Sequence, residues 1–350
     1  MDGTDGFDGV LDVRDLRYFR AVAEERNFTR AAERLGIAQP PLSRAIGQLE
    51  RRLGARLLDR STRQVTPTAA GLVLLEEAVR VLDAVSAAAR RTRRAARAAP
   101  TVVVTAKPGV ATDLLRRVAR AYASQPDTAR VEIAVSGYGE QGGMVRDGRA
   151  DVALLGTGED CHGLDLEPLT SEPRVAALPA GHALAARAVL SCRELAGLPF
   201  PHCPVLPLHA DAYWSGRDVG EAGVPDEAWT EARAPRRPLT AEPGPPAGTV
   251  AVGATGSVPG RDPVPGAPGP VVRDSSQLLE AVALGQAVAL IPASLAERNR
   301  RDDIAYRPVR DASPYTLAVA WQSGSRSPSI ARFVRTAIEV ASHEAPAHQR

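Results

Sequence analysis

Apolar side chains recur every three to four residues through the first hundred positions of this chain, and beyond Pro100 the spacing shortens toward two. Helices are therefore expected first and strands later. Leu16, Phe19 and Val22 share one helical face. Ala31, Ala32 and Leu35 share another, in a helix that Asn27 or Thr29 can cap and Gly36 can end with a positive φ. A third helix opens at Gln39, Pro40 and Pro41, where proline in the first turn removes no intrahelical donor. It carries Leu42, Ile46, Leu49 and Leu53 at spacings of four, three and four, one face at a 3.6 period. The run L-D-R-S-T-R-Q-V-T-P-T, from Leu58 to Thr68, reads as a short hairpin. One long helix is expected over 68 to about 98, because Leu72, Leu75, Val79 and Leu82 recur at three, four and three like the a/d stripe of a coiled coil.

After Pro100, T-V-V-V-T-A reads as a strand, T-D-L-L-R-R-V-A-R-A-Y-A as a helix and V-E-I-A-V-S as a strand. G-M-V-R-D-G-R-A then reads as a short helix and D-V-A-L-L-G as a third strand. Such alternation predicts an α/β body with a largely parallel sheet. At 350 residues the chain is too long for one typical domain, and 44 % hydrophobic content is enough for a real core. A small head and a larger body follow.

The head's third helix carries its polar side chains, Gln39, Ser43, Arg44 and Gln48, opposite its apolar stripe. Two short helices joined by a tight turn, with such a face on the second, form a helix-turn-helix, and side chains of this kind hydrogen-bond phosphates and base edges. Helix-turn-helix patterns also arise in helical bundles that bind no nucleic acid. The hairpin and the long helix that follow favour the DNA reader, and charge agrees. The whole chain carries only +2, but residues 11 to 100 hold 18 arginines against 10 acidic side chains, so the positive charge sits where a phosphate backbone would need it. Arg60 and Arg63 on the hairpin extend the basic surface. The A-R-R-T-R-R-A-A-R-A-A end of the long helix could touch DNA or solvate the helix terminus, and solvation is the preferred reading.

Several linked motifs now stand in order: A-Q-P-P-L-S-R-A-I-G-Q-L-E, then L-D-R-S-T-R, then T-P-T-A-A-G. In this order they resemble the DNA-binding domain and linker helix of the LysR-type transcriptional regulators. The resemblance implies an N-terminal, otherwise all-α winged helix-turn-helix over 11–67, a linker and dimerisation helix over 68–98, and an α/β effector-binding domain over 100–342. That last domain is expected to resemble periplasmic binding proteins, with lobe I at 100–169 and 307–342 and lobe II at 170–306. Lobe II would hold R-V-A-A-L-P-A-G-H-A-L, a strand around Leu198, and the run from Leu278 to Pro292. The acidic, glycine-rich residues 1–10 read as a disordered leader and 343–350 as a tail. The family is usually some fifty residues shorter. The Pro/Gly-crowded span of about 215–270 therefore reads as a flexible insertion, although Tyr213 and Trp214 before it are apolar anchors.

The same resemblance implies a mechanism. Gln39, Pro40, Pro41, Ser43, Arg44 and Gln48 would enter the major groove of double-stranded promoter DNA, with Thr29, Arg30, Arg60 and Arg63 on phosphates or in the adjacent minor groove. Leu72, Leu75, Val79 and Leu82 would pair with the linker helix of a second copy, in a homodimer and further a homotetramer that acts with RNA polymerase. A small-molecule effector would bind between the lobes. Strand C-termini point to Thr105, Ala106 and Lys107 after the first strand and Ser136 and Gly137 after the second, and the second lobe adds His202 and Cys203. The amides opening the helix after Lys107 would suit a carboxylate.

Other chemistry fits less well. Lys107, the only lysine, is followed by Pro108 and Gly109 instead of closing a glycine-rich run, which excludes a P-loop. Gly137, Gly139 and Gly142 match a dinucleotide fingerprint with Asp160 downstream, but too few residues follow before the next strand for the usual helix, so these read as turn glycines. Cys161-His162 and His202-Cys203 match no zinc spacing. A thiol-responsive variant through Cys203 is an alternative within the family. No Ser/His/Asp order or paired carboxylates mark an enzyme, and no cofactor is implied. Three cysteines give no disulfide framework, no apolar run approaches 18 residues, and the cytosol is the expected compartment.

Overall fold

The computed structural model describes residues 11–60, 65–96, 99–107, 109–206, 208–218 and 269–343. The leader, Arg63, most of the 215–270 span and the tail past 343 lie outside the described residues. Those that are described fall into two compact units, one of residues up to Arg93 together with Arg146–Gly148, the other of the remainder.

The first unit is built from α1 (Val13–Glu25), α2 (Phe28–Leu35), α3 (Gln39–Leu53), the hairpin β1 (Leu58–Arg60) with β2 (Val65–Pro67), and α4 (Ala69–Ala95). Asn27, not Thr29, is the cap of α2: its side-chain oxygen accepts from the amides of Thr29 and Arg30 at 2.9 and 3.1 Å. Gly36 closes that helix at φ +67°. Leu16, Phe19, Val22, Ala31, Ala32, Leu42, Ile46 and Leu49 are all buried and make one core. Asp15 of α1, buried, pairs with Arg52 of α3, and Glu50 of α3 accepts from the amides of Leu57 and Leu58, fixing where the hairpin begins.

The long helix departs from expectation in how it uses its stripe. Gly71, Leu74 and Ala78 are its buried positions near the head, and Leu75 and Leu82 pack partly against the same core. Two of the four seam residues therefore serve the chain's own head. The apolar side chains this helix leaves most open are Leu72, Val73, Val81 and Val85. The physical reason is proximity: the first turns of α4 follow the hairpin directly and lie over the head before any second copy is met.

The second unit holds two sheets. One is five-stranded, in the order β4-β3-β5-β10-β6, with β3 (Thr101–Ala106), β4 (Arg130–Val135), β5 (Val152–Gly156), β6 (Leu164–Glu172) and β10 (Tyr315–Gln322). The other is three-stranded, β8-β7-β9, with β7 (Arg174–Pro179), β8 (Ala289–Pro292) and β9 (Ile304–Pro308). Only the pairings of β3 with β4 and β5 are parallel; β10 runs antiparallel to β5 and β6, and the smaller sheet is antiparallel throughout. Parallel pairing needs a crossover helix. The helices α5 (Thr112–Ala123) and α6 (Gln141–Arg146) supply one for β3, β4 and β5, whereas β10 enters from the other lobe.

Pleating sorts the strands' side chains. Val102 and Val104 meet α5 and α11 (Pro328–Ser342) through Leu115, Val118, Tyr122 and Phe333, while Val103 joins Met144, Val145 and Leu155 on the other face. Sheet membership moves the expected lobe bounds slightly, since β6 stays in the larger sheet to Glu172 and β9 stays in the smaller one to Pro308. The expected strand around Leu198 is absent. A short helix, α7 (Cys192–Leu195), stands before it, and Pro199 and Pro201 lack the amides a ladder would use, so the segment makes only an isolated bridge between His202 and Val271. Two further helices, α8 (Leu208–Trp214) and α9 (Ser275–Ala283), and then α10 (Ala293–Arg298), complete the unit.

Two glycines give opposite tests of the head. A Cβ on Gly71 would stand 2.0 Å from the carbonyl oxygen of Leu57, whereas one on Gly47 would meet nothing within 4 Å. Gly71→Ala is expected to lower the head's stability by about 1–3 kcal/mol, and Gly47→Ala to raise it by about 0.5–1 kcal/mol through helix propensity. Midpoints of the head's denaturant transition measure both.

Candidate functional site

With Leu42, Ile46 and Leu49 fully buried, the opposite side of α3 faces outward. Gln39, Pro40, Pro41, Arg44 and Gln48 are exposed and Ser43 is half-buried. Among the described residues no carboxylate pairs with Arg44. Thr29 is exposed at the start of α2. Arg30 is less free than expected: its guanidinium donates to the Glu25 carbonyl and lies 3.5 Å from the Glu25 carboxylate. Arg60 belongs to β1 by its backbone, and Arg63 is not among the described residues.

The second unit contains a cavity of about 50 Å³ between its two sheets. Lys107, Val110 and Tyr138 line it from the larger lobe; Cys203, Leu206, Asp211, Trp214, Leu278, Ile291 and Leu295 are among those lining it from the other side. Of the expected effector residues, Lys107 and Cys203 are therefore on the wall. His202 stands one layer back, its Nδ1 about 3.1 Å from the carboxylate of Asp211.

Thr105, Ala106, Ser136 and Gly137 do not line the cavity. The Thr105 hydroxyl donates to Ser136 Oγ at 3.0 Å, and Ser136 also receives a bond from Gln141 Nε2 at 2.8 Å. Ala106 belongs to the hydrophobic core of the larger lobe. Gly137 gives its amide to Glu140 and its carbonyl to Gln141, and Gly139 takes φ +71°, which is turn geometry before a six-residue helix.

Lys107 is the centre of the site. Its ammonium pairs with Glu159, which follows β5 and is 3 % exposed. The Nζ lies 5.4 Å from the ring centre of Tyr138, 5.5 Å from that of Tyr315 and 5.7 Å from that of Trp214, distances at which a ring face attracts a cation. Burial opposes the charged lysine, yet the attraction of Glu159, with smaller contributions from Tyr315 and Tyr138, more than offsets it and holds the ammonium above its usual range. Burial pushes the Tyr315 hydroxyl up as well. Three polar atoms near this pair, Glu159 Oε2, Trp214 Nε1 and Tyr315 OH, are buried without a hydrogen-bond partner.

Sequence reasoning missed Glu159, Tyr138, Tyr315 and Asp211. The signal for Glu159 was present: the rule that placed Lys107 and Gly137 at strand C-termini applies equally to G-T-G-E after β5. Tyr315 and Asp211 approach only through the return strand and α8, which no local pattern joins to Lys107.

Thiol chemistry is weakly supported. Burial pushes the Cys203 thiol up, and Asp211 adds to this; the Cys192 thiol is pushed up to about 11 by burial and by Asp311. A raised thiol holds less of the reactive thiolate at neutral pH. Among the described residues no three His, Cys, Asp or Glu side chains converge on a common point, and none of their helices is long and apolar enough to cross a membrane.

The buried ion pair yields a stability test. Lys107→Met leaves Glu159 buried without its partner and is expected to cost about 3–5 kcal/mol. Adding Glu159→Gln should recover most of that loss. Denaturant unfolding followed by far-UV circular dichroism compares the single and double variants.

Comparison with known proteins agrees with this geometry. The family of bacterial regulatory helix-turn-helix proteins of the lysR type matches residues 13–72, and the LysR substrate binding domain matches 95–212 and 244–342. The chain is 35 % identical over 191 residues to the Hca operon transcriptional activator HcaR of Escherichia coli K12, covering 54 % of this chain and 64 % of that protein. It is 36 % identical over 144 residues to the HTH-type transcriptional regulator BenM of Acinetobacter baylyi, covering 41 % and 47 % respectively. The matched region thus spans about half to two thirds of each relative. The crystal structure of CbnR, a LysR family transcriptional regulator, shares the fold with a TM-score of 0.53 at 23 % identity, covering 95 % of this chain and 99 % of that one. Because the two domain families account for both compact units in the family's order, this chain belongs to the LysR family.

Proposed function

We propose that this protein is a sequence-specific DNA-binding transcriptional regulator whose activity is set by a small molecule bound in the cavity of the α/β unit. The observation that carries the reading is α3: one face fully buried, the other presenting Gln39, Ser43, Arg44 and Gln48 outward, in the part of the chain that concentrates positive charge. Ser43, Arg44 and Gln48 suit base edges in the major groove, Pro40 and Pro41 a thymine methyl, and Thr29 a phosphate. Arg30 is the weaker candidate, since contact with DNA would draw it away from Glu25.

A second copy is the natural partner of the apolar positions that α4 leaves open. Leu72 and Val79 keep their proposed dimer role, extended by Val73, Val81 and Val85, while Leu75 and Leu82 contribute at the edge of the head core. Paired heads imply a dyad-symmetric operator with half-sites about one helical turn apart. Tetramers and contact with RNA polymerase at the promoter extend the same reading, as does a cytosolic site of action. The effector would act by differential affinity for two arrangements of the α/β unit, a population shift that alters how the heads are presented. HcaR and BenM, regulators by name, support this reading.

The test is binding to the DNA upstream of the protein's own gene, followed by fluorescence anisotropy. Arg44→Ala is expected to weaken binding about 5- to 150-fold, corresponding to about 1–3 kcal/mol, and Ser43→Ala to weaken it less, both with unchanged unfolding midpoints. Wild-type affinity in both variants would remove α3 as the reading helix.

A further inference from the structure

We infer that the cavity selects an uncharged, largely apolar small molecule carrying a hydrogen-bond-accepting oxygen, in preference to a carboxylate. The inference rests on the reading of this cavity as the effector site and names the class of molecule it takes.

Among the described residues the one cation on the wall, Lys107, is already matched by Glu159, itself buried. A carboxylate entering beside Lys107 would become a second anion against a single ammonium, in surroundings that water cannot screen, and two like charges in one buried site oppose each other's ionisation. Asp211, on the same wall, would add only a weaker repulsion, because its side chain is 36 % exposed and water screens it. A cationic ligand fares no better, because the three ring faces that would hold it already surround the chain's own ammonium. The sequence pattern alone suggested a carboxylate at Lys107; the ion pair to Glu159 removes the free charge on which that expectation depended.

Hydrogen-bonding capacity points the same way. Buried polar atoms nearly always find partners, so the orphaned Nε1 of Trp214 is informative: it can only donate, its indole is part of the wall, and a ligand seated against that ring reaches the nitrogen only by shifting it from beside Gly158. Its complement is a carbonyl, ether or hydroxyl oxygen. Most of the remaining wall, including Val110, Leu278, Ile291 and Leu295, offers only apolar contact. A cavity of about 50 Å³ calls for a compact molecule. An apolar body with one accepting oxygen satisfies wall, donor and charge balance together.

Isobutyramide, isobutyrate and isobutyramidinium share one shape and differ in charge, and they decide the matter on the full-length protein. The readout is the indole N–H resonance of Trp214, one of three tryptophans, assigned by its loss in Trp214→Phe. Isobutyramide is expected to shift it at a half-saturating concentration at least about tenfold lower than either charged probe, tenfold being the ratio that one pKa unit of unfavourable charge interaction produces. In Glu159→Gln, checked for native circular dichroism, the freed ammonium should reverse the order in favour of isobutyrate. The inference is overturned if isobutyrate shifts the wild-type resonance at an equal or lower concentration, or if none of the probes shifts it. A parallel measurement of affinity for the upstream DNA, with isobutyramide saturating, keeps the two ideas apart: a shifted resonance with unchanged DNA affinity would sink the regulatory reading and leave the ligand class standing.

Discussion

Burial of Leu42, Ile46 and Leu49 against α1 and α2 decides where every other side chain of α3 points. A helix that surrenders one face to a core has the opposite face left for a partner, and the core here is closed by Phe19, Val22 and Ala31 from the neighbouring helices. The same packing sets the hairpin, because Glu50, one residue past Leu49, receives the amides of Leu57 and Leu58. It also captures part of α4, whose Leu74 and Ala78 belong to that core. The outward face of α3, the hairpin and the start of α4 all descend from one packed stripe.

In the α/β unit the corresponding constraint is electrostatic. Lys107 and Glu159 follow β3 and β5, adjacent parallel strands, so the sheet itself delivers opposite charges to one place. Neither could remain buried alone without a large desolvation cost. The aromatic side chains gathered round them come from separate elements: Tyr138 after β4, Trp214 at the end of α8 and Tyr315 at the start of β10. Lobe I, the return strand and lobe II thus all contribute to the surroundings of one ammonium. A molecule that changed those surroundings would act on both lobes at once, which is the property an effector site requires.

The head was legible because its elements are local. Caps, prolines in the first turn and a 3.6-residue period are properties of short windows, and α2 and α3 follow them closely. The linker stripe was legible as apolar and as helical, but not in its destination. Leu72, Leu75, Val79 and Leu82 look equivalent in sequence, and only the fold shows that Leu75 and Leu82 turn toward the head. The stretch around Leu198 carries apolar residues suited to a strand, yet Pro199 and Pro201, which follow it, deny it the amides of a ladder. Thr105 and Ser136 sit near strand C-termini as expected, but the Thr105 hydroxyl donates to Ser136 and the Ser136 hydroxyl to the Ala106 carbonyl, so neither is left for a ligand.

By itself the sequence determined the helix-turn-helix, its polar face, the basic head and the α/β character of the body, because each is written in spacing, composition or charge over a few tens of residues. The tertiary structure alone decided what Lys107 means. Read in the chain it is a lone cation after a strand, open to an anion. Folded, it is neutralised by a carboxylate 52 positions away and enclosed by rings from 31, 107 and 208 positions away, and those separations lie beyond any local pattern because only sheet pairing and the return of the chain bring the groups together.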